Sequence, residues 1–385
     1  MLSKSLTKKL AKRVVWSMNM KEGETLLVKG GAHTQELVEN IALFAMMQGV
    51  HPLITTVSDN FTKSVYDLVS EKYLRSTSKL SLKMVEALDN TISIERPKDP
   101  RIFEKISQKK LAAATEGGRL VRKKMDKYNV KWCILGYPTK EMAQKLGVKF
   151  SLLKKFIVDG TLVNPKILLD RSEFIYRNLK GAKFVYITDE FGTDLTLRMV
   201  DRKIMKSDGH ISDNDIKEKD IGLNLPDGEV FTTPIETSGH GILVSPKRTD
   251  YFTEKMIENI RLVFENGKLN LQKTTAEKNE KLLKDTIKNC IRIDKRKESV
   301  IRTTNFAELG IGLNPIINQI VGYLLTDEKI GGTIHVAIGN NKSFGGKNES
   351  CLHWDFITNK GVNLEVAYKN GKKKILIENG KFLIE

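Results

Sequence analysis

The sequence of 385 residues has little cysteine and no long apolar run. Its 3 cysteines, Cys133, Cys290 and Cys351, lie far apart, so they indicate neither a disulfide framework nor a cysteine-type zinc site. No apolar stretch approaches the roughly 18 residues that a membrane-spanning helix needs. The basic N-terminus lacks the apolar centre of a signal peptide, and we expect an amphipathic helix there. A reducing cytoplasm, without a membrane partner, is the expected location.

Positive charge is unevenly distributed along the chain, whose formal net charge is +17. Residues 1–183 carry 34 Lys and Arg against 18 Asp and Glu, whereas residues 184–385 carry 30 against 29. A basic half could bind nucleic acid. However, the sequence has no zinc-finger, helix-turn-helix or aromatic RNA-binding signature. We interpret the lysines as a solvated face and do not expect nucleic acid as a partner, although a nucleic-acid-associated protein remains an alternative.

Short apolar runs alternate with helical patterns in the first half of the chain. This alternation predicts an α/β domain with a mostly parallel sheet covered on both faces. The glycine pair at residues 30 and 31 matches no phosphate-binding fingerprint and is interpreted as a tight turn. The predicted strands are "ETLLVKG" (24–30), "HPLITTV" (51–57), "NTISIE" (90–95) and "KWCILGY" (131–137), with a helix predicted over residues 32–49.

The texture changes near residue 183, where strands separated by glycine-bearing turns begin. We therefore predict two domains, residues 1–183 and residues 184–385, the second of the α+β class. Two charged segments of the second domain, residues 251–267 and 274–290, have a pattern that predicts helices.

Two histidines lie in strand-like segments of the second domain. In "TIHVAIG" and "CLHWDF", apolar residues alternate with His335, and with His353 and Asp355. Such alternation is typical of a strand with one buried face, and it directs His353 and Asp355 to the same side. The loop between the two strands is rich in Gly and Asn. A hydrogen-bonded His–Asp pair in a mixed sheet is one interpretation, and a ligand set in a cleft is the other.

Three carboxylates of this domain lie in similarly apolar surroundings: Glu229 in "LPDGEVFTTP", Glu308 in "FAELGIGLNP" and Glu328 in "TDEKIGG". Burying a carboxylate costs several kcal/mol unless it is paired or bound to a metal. With the histidines and Asp355 nearby, two divalent metal ions would satisfy these groups. A mixed carboxylate and imidazole site suits Zn, Co or Mn, with Mg a further candidate.

The motifs "PDGEVFTTP", "AELGIGLNP", "DEKIGGTIHVAIG", "FGGKNES" and "LHWD" together resemble the thermophilic leucyl aminopeptidases related to aminopeptidase T. The resemblance covers most of the chain. It implies an N-terminal α/β domain, a C-terminal metal-binding domain, a homodimer and a two-metal exopeptidase. It assigns the metal ligands to Glu229, Glu308, His335, His353 and Asp355, with Glu328 as a further acidic ligand.

The implied reaction removes the N-terminal residue of peptides with a free N-terminus, through a water bridged by two divalent metals. Glu308 is expected to relay a proton to the leaving amine. Family members carry a tyrosine seven residues after the first histidine, where this sequence has Lys342. We expect Lys342 to donate a hydrogen bond to the oxyanion in its place. The alternative is a metal-binding homologue that has lost or changed its peptidase activity.

Overall fold

The computed structural model describes residues 2–199, 201–253, 255–296 and 299–384. The chain divides into two compact units, each built from two segments. The first unit comprises Met1–Val163 and Gly209–Asp227, and the second comprises Asn164–Asp208 and Gly228–Glu385. This division differs from a single boundary near residue 183: residues 164–183 belong to the second unit, and residues 209–227 return to the first.

The α-helices, in chain order, are α1 (Lys4–Ser17), α2 (Gln35–Met46), α3 (Asp59–Leu68), α4 (Glu71–Leu74), α5 (Lys79–Val85), α6 (Gln108–Gly117), α7 (Arg119–Tyr128), α8 (Lys140–Leu146), α9 (Phe150–Lys154), α10 (Pro165–Leu179), α11 (Asp213–Glu218), α12 (Glu280–Asp294) and α13 (Leu324–Asp327). Short 3-10 turns cover Ala32–Thr34, Pro100–Phe103 and Lys342–Phe344, and a π-helical turn covers Lys155–Asp159.

The strands are β1 (Thr25–Gly31), β2 (His51–Val57), β3 (Asn90–Ile94), β4 (Lys131–Leu135), β5 (Ala182–Thr188), β6 (Asp194–Arg198), β7 (Ile204–Ser207), β8 (Gly222–Leu225), β9 (Glu229–Thr232), β10 (Gly239–Thr249), β11 (Met256–Glu265), β12 (Lys268–Leu269), β13 (Thr275–Lys278), β14 (Phe306–Gly312), β15 (Ile334–Gly339), β16 (His353–Ile357), β17 (Asn363–Tyr368), β18 (Lys373–Glu378) and β19 (Lys381–Phe382).

The first unit is built around a parallel sheet with strand order β2-β1-β3-β4-β8. Its core contains Val28, Ile41 and Ile92, all fully buried, and α1 packs on α2 beside the sheet. Strand β8 returns to this sheet after the chain has passed through the second unit, which is why residues 209–227 belong here. The predicted α/β class and mostly parallel sheet are confirmed, and α1 forms where an amphipathic helix was predicted. No helix in the described part of the chain is long and apolar enough to cross a membrane.

The second unit contains two antiparallel sheets. One has the order β12-β11-β10-β6-β5-β17-β18-β19, with β13 also paired to β11. The other, which we call the site sheet, has the order β16-β15-β14-β9-β7 and antiparallel pairing between neighbours. Every residue of β14 and β15 is buried, so these strands have no solvent-facing side.

The helix predicted over residues 251–267 is wrong, because the described part of this stretch forms strand β11 from Met256. Glu254 lies outside the described residues. Ile257 and Ile260 are both fully buried, and their spacing of three imitates a helical period. Between them Asn259 has a φ of 50°, a left-handed conformation at which the alternation of buried and exposed side chains is interrupted, although the pairing with β10 keeps its register. The second predicted helix is shorter than expected: residues 275–278 form β13, and α12 begins at Glu280.

Candidate metal centre

The register of the site sheet aligns acidic residues across three strands. Glu308 of β14 lies opposite Ala337 of β15, which lies opposite Asp355 of β16. Residues that face each other across neighbouring strands direct their side chains to the same face. The small Ala337 side chain lies between the two carboxylates and therefore leaves space for another group between them on that face. Glu308 and Asp355 are both buried.

His335 joins this face because β14 has a glycine opposite it. Gly310 is the cross-strand partner of His335. A Cβ atom at Gly310 would lie only 1.9 Å from His335 Nε2. The imidazole thus occupies the space that a side chain on β14 would need. Two residues further along β14, Gly312 lies opposite Glu229, the first residue of β9, and so brings Glu229 to the same face.

Four of these side chains converge on each other through their ligand atoms. His335 Nε2 lies 3.2 Å from Glu308 Oε1 and 3.5 Å from Glu229 Oε2. His353 Nε2 lies 3.4 Å from Glu308 Oε2. The two oxygens of Glu308 thus face two different imidazoles, which is the arrangement expected of a bridging ligand.

Glu308, His353 and Asp355 form the tightest group within this cluster. His353 Nε2 lies 3.4 Å from Asp355 Oδ1. One ligand atom from each of the three residues lies within 4.8 Å of the other two. Two carboxylates and an imidazole at such separations could hold a Zn, Co or Mn ion after small side-chain adjustments.

The tautomer of His353 is set by the loop that follows β15. His353 Nδ1 lies 2.7 Å from the backbone carbonyl oxygen of Asn340. A carbonyl oxygen can only accept, so Nδ1 donates its hydrogen. In the neutral ring, Nε2 then carries the lone pair, and Nε2 is the atom that faces Glu308 and Asp355. Metal-binding histidines are commonly oriented by a second hydrogen bond of this kind.

Glu328 approaches the cluster from the turn between α13 and β15. Burial raises its pKa to about 8, and the negative charges of Asp355 and Glu229 act in the same direction. Lys329 follows it and is fully buried, with its Nζ 2.5 Å from Glu229 Oε1 and 3.4 Å from Glu328 Oε2. The structure therefore brings together all six residues assigned as metal ligands from the sequence, together with a lysine that the sequence analysis missed.

The electrostatics of the cluster are those of crowded acids around two bases. Burial raises the pKa of Glu308. Burial opposes protonation of His335 and His353, but neighbouring carboxylates outweigh it and raise their pKa values to about 9 and about 10. Burial likewise disfavours ionisation of Asp355, yet the charge of His353 holds its pKa well below the usual range. Without a metal ion, protons therefore neutralise the cluster.

The donor set fits a divalent cation. Glu229 Oε2 and His335 Nδ1 are buried and have no hydrogen-bond partner among the described residues. An unpaired buried carboxylate oxygen is costly, and a cation removes that cost. Because the open oxygen of Glu229 faces His335 Nε2, the unfilled ligand capacity lies inside the cluster. The residues present therefore suit the group that the sequence led us to expect.

Lys342 is not brought into contact with the cluster in this structure. It lies on the 3-10 turn Lys342–Phe344, is more than half exposed, and pairs with Glu349. Phe344 of the same turn packs edge-to-face on His353, with ring centroids 5.7 Å apart, and also on Phe231. The turn is thus adjacent to the one partly exposed imidazole of the cluster, although the ammonium group faces solvent.

A second buried polar group, missed by sequence reasoning, anchors the loop between β15 and β16. Arg202 pairs with both oxygens of Glu236 at 2.8 Å. Glu236 Oε1 also accepts from the backbone N–H of Lys347 at 2.6 Å and from Asn341 Nδ2 at 3.3 Å. Two consecutive asparagines before a Gly-rich run were visible in the sequence, but their distant carboxylate partner was not.

Comparison with known proteins agrees with this geometry. The family model described as thermophilic metalloprotease (M29) matches residues 3–382. Among solved structures, AmpT from Thermus thermophilus has a TM-score of 0.76 and 16% identity, over 99% of this chain and 100% of that chain. The 2,5-dihydroxypyridine dioxygenase of Pseudomonas putida KT2440 has a TM-score of 0.64 and 14% identity, over 100% and 99%. No curated protein matches the sequence.

The chain belongs to the thermophilic metalloprotease family M29, since the family model covers nearly its whole length. The family resemblance noted from the sequence motifs is confirmed, and the protein is a metal-dependent peptidase. The likeness to the two solved structures, at 16% and 14% identity, concerns the fold alone. A peptidase and a dioxygenase on one fold make the side chains of the site decisive for function.

Proposed function

We propose that the protein is an aminopeptidase that uses two divalent metal ions, Zn, Co or Mn, to remove the N-terminal residue of peptides. The observation that carries this proposal is the convergence of four carboxylates and two imidazoles on one face of the site sheet. Glu308, His353 and Asp355 would hold one ion, and Glu229, Glu328 and His335 the other. Such ions, when bound, polarise the scissile carbonyl group and lower the pKa of water toward neutrality.

Charge supports two ions rather than one. The four carboxylates of the cluster carry four negative charges when ionised, and the buried ammonium of Lys329 offsets one of them. A single divalent ion would leave a buried net negative charge of one, with the imidazoles neutral. A second divalent ion and one hydroxide leave none. A buried site favours the neutral arrangement, because uncompensated charge is costly away from water.

Glu308 is the group that we assign to proton transfer. Its Oε1 and Oε2 face His335 Nε2 and His353 Nε2, respectively. Burial already raises the pKa of this carboxyl group, and a raised pKa suits a residue that must first accept and later release a proton near neutral pH. Glu308 Oε2, on the side of the partly exposed His353, is the atom that would deliver the proton to the leaving amine.

The metal cluster also suits a substrate with a free α-amine, because a neutral amine has a lone pair that one of the two ions could bind. His353 is the more exposed of the two histidines, with 31% of its side chain accessible to solvent. The substrate would therefore approach the cluster from the side of His353. Phe231 and Phe344 border this approach and present apolar surface. An acylated N-terminus has an amide nitrogen whose lone pair is delocalised, and we expect the site to bind it poorly.

Lys342 remains our proposed oxyanion donor. Its present ion pair with Glu349 is exposed on both sides. Exposed pairs of this kind contribute about 0–1 kcal/mol, so a substrate oxyanion could attract the ammonium at little cost. The neighbouring Phe344 already contacts His353, so the turn that carries Lys342 borders the cluster.

The test is hydrolysis of leucyl-p-nitroanilide and its N-acetyl derivative by chelator-treated protein, before and after addition of Co²⁺, Zn²⁺ or Mn²⁺. We expect cleavage of the free-amine substrate only, and only with metal. Cleavage of the blocked substrate, or activity that survives exhaustive chelation, would contradict the proposal.

An alternative function is an altered peptidase activity, different from removal of the N-terminal residue, which the lysine at the family's tyrosine position favours. Metal uptake with no turnover on a panel of aminoacyl-p-nitroanilides and dipeptides would select this alternative. We also propose a cytoplasmic homodimer, and light scattering behind size exclusion would detect a monomer if that assignment is wrong.

A further inference from the structure

Lys329 is a residue of the cluster that is not among the assigned metal ligands. It lies between the end of α13 and β15 and is fully buried. A lysine is rarely buried in this way unless it is paired, because the desolvated ammonium is costly. Its Nζ lies 2.5 Å from Glu229 Oε1 and 3.4 Å from Glu328 Oε2.

The two oxygens of Glu229 differ as a consequence. Oε1 accepts the short charge-assisted contact from Lys329. Oε2 has no hydrogen-bond partner among the described residues and faces His335 Nε2 at 3.5 Å. The ammonium thus fixes the rotation of the carboxylate and leaves only the oxygen on the cluster side open. A protonated lysine has no lone pair, so it orients the ligand without competing for the cation.

The contact with Glu328 has a second effect. Lys329 Nζ lies between the carboxylates of Glu229 and Glu328, 2.5 Å from Glu229 Oε1 and 3.4 Å from Glu328 Oε2. A fixed positive charge between two acids reduces their repulsion and keeps both near the cluster before any ion arrives. Ligands that are held in place in this way bind a metal ion with less reorganisation.

We propose that Lys329 is a positioning residue: it holds Glu229, and through its contact Glu328, in the geometry that binds the second metal ion. The inference rests on the proposed dinuclear site. It concerns the half of that site formed by Glu229 and Glu328, because these are the carboxylates that Lys329 Nζ contacts.

The experiment is calorimetric titration of Co²⁺ into chelator-treated full-length protein at neutral pH, with wild type, Lys329→Met, Glu229→Gln and the double variant. We expect wild type to bind two ions. Lys329→Met should weaken one of them 10–100-fold, the usual effect of removing a residue that orients a ligand, and leave the other unchanged. The double variant should bind no more weakly than Glu229→Gln alone, since Lys329 acts through Glu229.

Lys131→Met is the matched control. Lys131 is also buried, and its Nζ lies 3.0 Å from Glu24 Oε2, but it belongs to the first unit and the site sheet to the second. This variant should lose stability, as Lys329→Met should, and keep both metal affinities. If Lys329→Met does not fold, Lys329→Gln carries the same test, because its amide still satisfies part of the buried contact.

Two unchanged affinities in the Lys329 variant would overturn the inference, and so would losses that simply add in the double variant. Wild type that binds no Co²⁺ would instead refute the proposed metal site. The failure of the positioning role and the failure of the proposed function are thus separate results.

Discussion

Two buried polar clusters lie in the second unit, and they handle charge in opposite ways. In the anchor cluster of Arg202 and Glu236, both carboxylate oxygens receive hydrogen bonds. Burial disfavours the charge of Glu236, but Arg202 and the backbone N–H of Lys347 outweigh it and lower its pKa to about 2. In the metal cluster, burial and like charges raise the pKa of Glu328 to about 8.

The difference shows which buried acids the protein satisfies by itself. Glu236 has an arginine and stays ionised without any ligand. Glu308, Glu328 and Asp355 crowd together around imidazoles, and Glu229 keeps an oxygen without a partner in the described part of the chain. The charge of a paired buried acid is already compensated by the protein. A group of buried acids with open ligand atoms is instead suited to bind a cation.

The two clusters are joined by the loop between β15 and β16. Glu236 accepts from Lys347 and Asn341 of this loop, while the carbonyl of Asn340 orients His353. The anchor cluster therefore holds one edge of the metal cluster in place. Changes in the two clusters should separate stability from catalysis.

The largest effect should follow from removing a metal ligand. Alanine at Glu229, Glu308, His335, His353 or Asp355 should lower kcat/KM at least about 10³-fold, since the metal clamp contributes several kcal/mol to the transition state. The variants should remain folded, because none of the five substitutions removes a backbone hydrogen bond of the site sheet. Steady-state kinetics measures the loss of kcat/KM, and thermal unfolding shows whether the variants are folded. Near-normal turnover in two of the five variants would show that the ligand assignment is wrong.

Breaking the anchor cluster should lower the stability of the fold rather than remove a metal ligand. Arg202→Met leaves Glu236 buried and unpaired, so we expect a loss of about 3–5 kcal/mol in the free energy of unfolding. Denaturant unfolding of the metal-free protein measures it. Arg177→Met, which removes an exposed partner of Glu173, is the control and should cost less than about 1 kcal/mol. Equal losses in the two variants would refute the structural role of the anchor.

Lys342 tests whether the loop contributes to chemistry as well as to structure. If its ammonium stabilises the oxyanion, Lys342→Met should lower kcat by about 10²–10³-fold, or about 2.7–4 kcal/mol, with metal content unchanged. Lys342→Tyr should restore part of the rate. Glu349→Gln frees the lysine from its exposed pair and should not lower kcat. Unchanged turnover in Lys342→Met would show that Lys342 is a solvated loop residue without a role in catalysis.

Metal affinity should depend on pH because protons occupy the metal-free cluster. His335 and His353 have pKa values raised to about 9 and about 10. A metal ion must displace these protons, so affinity should rise with pH up to that range, by up to about tenfold per pH unit for each proton.

The same protons affect stability without metal. Because the folded pKa values of both imidazoles lie above the usual value of about 6.5, their stabilising contribution is complete below that pH and is lost as pH rises through 9–10. Calorimetry of Co²⁺ binding in buffers of different ionisation enthalpy counts the released protons. Binding without proton release would contradict these pKa shifts.

The sequence predicted the common face of the candidate ligands better than it predicted the secondary structure around them. His335, His353 and Asp355 were identified because alternation with apolar residues fixes the face of a strand, and the site sheet brings them together in that register. The strand β11 was mistaken for a helix, since its alternation is interrupted at the left-handed Asn259 and the buried Ile257 and Ile260 therefore lie three residues apart.

Contacts between distant segments could not be predicted from the sequence. Arg202 and Glu236 form a pair only because β9 and the following turn bring them to one loop, and no local pattern indicates this. Lys329 follows Glu328 directly, but adjacent residues usually face apart, and only the fold turns its ammonium toward Glu229. The division of the chain was also not local, because β8 returns to the first unit.

The central claim is that the open cluster, and not the paired one, takes up metal. Elemental analysis of chelator-treated protein reconstituted with Co²⁺ or Zn²⁺ and freed of excess ion tests it most directly, with Glu308→Gln and Glu236→Gln compared. We expect about two ions per chain in wild type and in Glu236→Gln, and fewer than one in Glu308→Gln, whose two oxygens face both imidazoles. No bound metal in wild type, or equal content in all three proteins, would contradict the account.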